Sequence, residues 1–204
     1  MGMALFGRSI GRSSALLSLL LMLLGLTQAR ADLAMDLALA AEDRANHSVV
    51  YDPSYVRIDY PNGDVPADTG VCTDVVIRAY RKLGIDLQRL VHEDMKRNFG
   101  RYPKIWRAKR PDSNIDHRRV PNLETFLTRK GASVPVSSDP SAFKPGDVVT
   151  WRLDNGRAHM GIVSTQKTPS GIPLIAHNIG AGPKVEDMLF AYKIHRHFRW
   201  HGDG

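Results

Sequence analysis

A single cysteine, Cys72, and eight histidines set the chemistry open to this 204-residue chain. A lone thiol excludes an intramolecular disulfide, a Cys-x-x-Cys redox pair and a cysteine-based structural zinc site. It can still attack a carbonyl, provided that its thiolate is stabilised and a base takes its proton. Val75, Val76, Ala79, Tyr80 and Leu83 recur at helical spacing and Gly84 supplies a stop, which predicts a helix over 71–83 with Cys72 in its first turn. The unpaired N–H groups there favour a thiolate. The plainer role of a free cysteine is that of a small buried hydrophobe.

The base has to come from the histidines. His159 follows the hairpin signal Asp154-Asn155-Gly156 and heads an apolar strand, Met160-Gly161-Ile162-Val163. His177 is the polar residue of an otherwise apolar run from Leu174 to Ala176. If these two strands pair, His159 and His177 meet on one face and the second can orient the first. His47, His92, His117 and His201 have no comparable setting. His195 and His197 suggest a metal pair, but neither an HExxH motif nor a carboxylate-rich cluster accompanies them, so no metal and no cofactor are expected.

The elements that would carry these residues are mixed. Helices are predicted over 32–46, 71–83, 86–98 and 121–131, and an extended, turning segment over 51–69. The cation-rich stretch 101–119 has no periodicity and reads as a surface loop. Strands follow at 148–151, 158–165, 173–179 and 194–200, with a loop at 180–183. Helices first and an antiparallel meander afterwards make an α+β domain. No internal repeat is present.

Residues 1–31 are expected to be a signal peptide. Arg8 and Arg12 precede a twelve-residue apolar run, 15–26, and Ala29-Arg30-Ala31 offers a small-x-small cleavage site. The run is short of the roughly 20 residues needed to span a bilayer. The mature chain, 32–204, is then one domain with its core at about 51–200, exported to the periplasm or secreted and meeting a membrane only during export. Losing Arg8, Arg12 and Arg30 takes the formal charge from +7 to +4, which favours anionic surroundings such as cell-wall polymers, while export argues against nucleic acid.

Gly70-Val71-Cys72-Thr73-Asp74 opening a helix, then Pro145-Gly146-Asp147-Val148-Val149 and His159-Met160-Gly161-Ile162-Val163, then Ala176-His177-Asn178, resembles the NlpC-type papain-like cysteine hydrolases. More closely, the chain is similar to the bacterial domain-of-unknown-function family 1287 within that superfamily. The resemblance implies a papain-like fold in which N-terminal helices pack on an antiparallel sheet. It assigns Cys72 as nucleophile, His159 as general base and then acid, and His177 as the orienting group, with Asn178 the fallback. Strand alternation puts His177 and Asn178 on opposite faces, so one of them can face His159. Tyr60 and Asp68, just upstream of the cysteine, are candidate substrate contacts together with Asn178.

The reading that follows is a monomeric exported amidase or peptidase acting on peptidoglycan or other envelope peptides through a thioester. Acyl transfer on the same fold and a non-catalytic envelope-binding module are the alternatives.

Overall fold

The computed structural model describes Gln28 and residues 31–202, so the expected signal peptide lies almost wholly outside the described residues. The compact unit considered below is Leu33–Gly204. Its first helix, α1, runs to residue 43 and continues as a single 3-10 turn, Arg44–Asn46. Leu37, Ala38 and Ala41 are its buried stripe. Glu42 fastens it to the sheet by accepting from the Ser164 hydroxyl at 2.7 Å and the Thr165 amide at 2.7 Å. A two-stranded parallel ribbon, β1 (Val50–Tyr51) and β2 (Thr69–Gly70), then leads into α2 (Cys72–Lys82), which is followed by α3 (Leu87–Asn98) and α4 (Val120–Arg129). Asp86 caps α3 by accepting from the Arg89 amide.

The remaining strands, β3 (Ser133–Val134), β4 (Val148–Arg152), β5 (Ala158–Lys167), β6 (Pro173–His177), β7 (Lys184–Glu186) and β8 (Lys193–Phe198), form one antiparallel sheet in the order β3-β8-β4-β5-β6-β7. The fold class is α+β, as the pattern of helices followed by strands predicts. The simple meander is corrected, because β8 returns to pair with β4 rather than lying at the end of the sheet. The reason is legible in burial: Val148 to Trp151 are buried, so the backbone N–H and C=O groups on both edges of β4 need partners, which β5 and β8 supply. Met160, Ile162, Ala176 and Val148 face the helices, while Trp151, Val149, Val163 and Ile175 form a second cluster with Met188 and Leu189.

The stretch 101–119 also departs from expectation at its end. Asp116–Arg118 is a buried 3-10 turn rather than surface loop. Arg118 holds Asp74, the third residue of α2, through Nε and Nη2, each at 2.9 Å, with both side chains 3% exposed. Asp74 in turn accepts from the Val71 amide at 2.7 Å, and Thr73 donates to the Arg118 carbonyl at 3.0 Å. The start of α2, and with it Cys72, is therefore clamped to a turn more than forty residues away in sequence. Breaking one half of a buried, bidentate ion pair leaves an uncompensated charge and costs about 3–5 kcal/mol. Arg118→Met is accordingly expected to lower the unfolding free energy by about that much in urea titrations, with a clearly smaller loss in the Asp74→Asn/Arg118→Met double variant.

Candidate active site

Cys72 is the first residue of α2 and its side chain is only 5% exposed. Pairing of β5 with β6 begins at Ile162, opposite Ala176, which leaves the Met160 amide outside that ladder. This amide faces the Cys72 sulfur, as do those of Thr73 and Cys72 itself. The helix N-terminus and these N–H groups favour a thiolate, yet burial opposes it more strongly and pushes the thiol up to about 11. Desolvation thus outweighs the partial charges of the helix end, and the thiol rests neutral.

His159 precedes Met160 on β5, and its ring is 5.9 Å from that of Trp151, its partner on β4. Its Nε2 is 3.0 Å from Nδ1 of His177, and Nε2 of His177 is 3.0 Å from Oε1 of Glu186 on β7. The two imidazoles are edge to face, at 86°. Gly161 makes this approach workable. A Cβ there would stand 2.6 Å from Ile175 Cγ2, 2.9 Å from the Ala176 carbonyl oxygen and 3.0 Å from His177 Cβ. The glycine of the His-Met-Gly motif thus serves the close passage of β6 against β5.

The direction of each proton in this chain follows from its last member. A carboxylate oxygen accepts, so His177 donates from Nε2 to Glu186 and keeps a lone pair on Nδ1. His159 must then donate from Nε2 to His177, which leaves Nδ1 of His159 as an unprotonated base. Burial and the neighbouring imidazole hold the His159 pKa down to about 3, and burial lowers that of His177 despite Glu186. Among the described residues no hydrogen bond joins Cys72 to His159; catalytic contacts commonly tighten only when substrate binds.

The other predicted residues are placed elsewhere. Asn178 is buried and ties the end of β6 to the entry of α2, donating to the Gly70 carbonyl at 3.5 Å and accepting from the Gly180 amide at 3.0 Å. Asp68 contributes its carbonyl, which accepts from the Val50 amide at 2.8 Å. Tyr60 packs edge-on against His92 of α3, with centroids 5.1 Å apart, away from the histidine pair. Two residues absent from the sequence reading enter instead. Glu186 sits on a three-residue, charged edge strand that carries no periodicity, and exposed Tyr51 of β1, whose pKa is raised first by desolvation, lies near enough to Cys72 for a thiolate there to raise it further. His197 proves structural: it is 2.7 Å from Asp147 and stacks on Phe143. Among the described residues no group of three or more His, Cys, Asp or Glu side chains could hold a metal ion.

The buried imidazoles make the fold acid-labile. Burial depresses His117 to about 4 and His159 to about 3, below the unfolded value of about 6.5. The unfolded chain therefore binds more protons in this window, and stability present above pH 6.5 is lost as pH falls towards 4. Each imidazole is worth about 2 kcal/mol between pH 7 and pH 5. Urea titrations at the two pH values should show the two losses together, about 4 kcal/mol, and about 2 kcal/mol less in His159→Gln; an unchanged drop in that variant would contradict the assignment.

No helix among the described residues is long and apolar enough to cross a membrane. The chain is 52% identical over 173 residues to the uncharacterized protein YijF of Escherichia coli (strain K12), covering 85% of this chain and 84% of that one. A solved structure, NlpC1 from Trichomonas vaginalis, superposes with a TM-score of 0.42 and 15% identity over 81% of this chain, which spans 43% of that longer chain. A family model, described as a domain of unknown function (DUF1287), matches residues 38–200. The chain therefore belongs to the DUF1287 family.

Proposed function

We propose that the protein is an exported cysteine hydrolase that cuts amide bonds of peptidoglycan peptides through a thioester on Cys72. The observation that carries this reading is the ordered chain Glu186–His177–His159, which leaves an unprotonated imidazole nitrogen one residue from the strand position that meets the Cys72 sulfur. Wall peptides are favoured as substrate by the predicted signal peptide and by the +4 charge of the mature chain.

The chemistry starts from the neutral pair. With thiol and imidazole both held neutral by burial, proton transfer from Sγ to Nδ1 of His159 accompanies attack on the amide carbon rather than preceding it. The carbonyl electrons move to oxygen, where the Cys72 amide can donate to the oxyanion. Imidazolium His159 then protonates the leaving amine as the C–N bond breaks, giving the thioester. Water, losing its proton to His159, attacks the thioester and releases the acid and the thiol. His177 and Glu186 stabilise the transient positive charge without leaving their places.

Burial of the thiol favours a second reading, a non-catalytic envelope-binding module that keeps the fold. Incubation with soluble peptidoglycan fragments separates the two. The hydrolase reading expects new amine and carboxyl termini, an acyl adduct on Cys72 by intact mass, loss of both in Cys72→Ala and His159→Ala, and a ten- to hundredfold slower rate in Glu186→Gln. Fragments bound equally by wild type and Cys72→Ala, with no product from either, would select the binding module. Incorporation of an added amine would mark acyl transfer.

A further inference from the structure

Beside α4, a groove of about 620 Å³ runs between the helix, the segment 101–105 and the strands β4 and β8 at Arg152 and Arg196. That volume is within the range of pockets that hold a small ligand. Four arginines line it: Arg101, Arg129, Arg152 and Arg196. Two are already engaged with carboxylates. Arg152 forks onto Glu124 at 3.0 Å through each terminal nitrogen, and Arg129 grips Asp94 at 2.7 and 3.1 Å. Arg101 and Arg196 are exposed and, among the described residues, have no carboxylate partner. Ile105, 67% exposed, adds an apolar wall.

The groove lies at the same end of the sheet as the histidine chain. Arg152 pairs with Ala158, the residue before His159, and Arg196 pairs with Thr150, which pairs in turn with Met160. Two strand spacings, about 10 Å, therefore separate β8 from β5 at this level, a span covered by a peptide of a few residues.

We infer that this groove is a subsite for the carboxylate-bearing part of a peptide, held by the forks of Arg101 and Arg196 while another part of the same peptide reaches the Cys72 end of the sheet. This rests on the hydrolase reading for the link to Cys72, although binding in the groove does not depend on chemistry there. Carboxylate is favoured over phosphate polymers because the neighbouring guanidiniums already hold carboxylates in the planar, two-point fashion that suits them. The groove is also lined by no aromatic ring on which a base or sugar could stack.

The test uses the full mature chain carrying Cys72→Ser, so that no turnover intervenes, with labelled hexaglutamate, hexaglutamine and a polyphosphate of matched charge followed by fluorescence anisotropy. Hexaglutamate is expected to bind, hexaglutamine to fail, and Arg101→Ala/Arg196→Ala to weaken binding tenfold or more. Arg57→Ala/Arg110→Ala, which removes the same charge outside the groove, should change it less than twofold. Equal losses in the two double variants would reduce the effect to net charge and overturn the site. Tighter binding of polyphosphate, equal binding of hexaglutamine or no binding of hexaglutamate would overturn it as well. Acylation of Cys72 by fragments is scored separately, so a failed groove leaves that experiment intact, and a failed acylation leaves this one.

Discussion

A neutral imidazole carries its proton on one nitrogen and a lone pair on the other, and the arrangement around β5 and β6 turns on which partners decide between them. Glu186 settles it for His177, and His177 settles it for His159. The rest of the local structure serves this chain of contacts. Gly161 lets the two strands approach, Trp151 covers the His159 ring, and the short strand β7 pairs Glu186 with Ile175 so that its carboxylate meets the His177 ring. Without the carboxylate, either tautomer of the pair would satisfy the same 3.0 Å contact, and nothing in that contact would keep Nδ1 of His159 unprotonated.

The second constraint concerns the thiol. The N-terminus of α2 and three backbone amides act on Cys72 in one direction and burial acts in the other, and burial prevails. That balance depends on where the start of the helix is seated, because both the burial and the amide contacts of the sulfur are set there. The seat is ionic: Asp74 and Arg118, both nearly dry, join the helix to a turn beneath it, and Asn178 closes the neighbouring loop onto Gly70. Buried charge here fixes a position, a role for which such pairs are better suited than for adding stability.

Much of this was legible in the chain. The periodicity of α2, the hairpin before β5 and the apolar run of β6 place Cys72, His159 and His177 on the elements that carry them, and the period-two rule of a strand separates His177 from Asn178. What the chain concealed depends on tertiary pairing. Arg118 looks like one more cation in a basic stretch, and only its partner forty-four residues earlier buries it. Glu186 lies in a three-residue strand with no pattern of its own, and β8 returns to β4 because both edges of the buried β4 need partners. Tyr60, close to Cys72 in sequence, is drawn instead to His92 of α3.

The central claim is that Glu186 fixes the proton positions of both buried histidines so that His159 presents an unprotonated Nδ1. Long-range ¹H–¹⁵N correlation spectra of the histidine side chains at neutral pH read this directly. The account predicts that His159 and His177 both carry their proton on Nε2, with Glu186→Ala, which removes the acceptor, releasing that preference. A proton on Nδ1 of His159 in the wild-type protein, or tautomers unchanged by the Glu186 substitution, would contradict it.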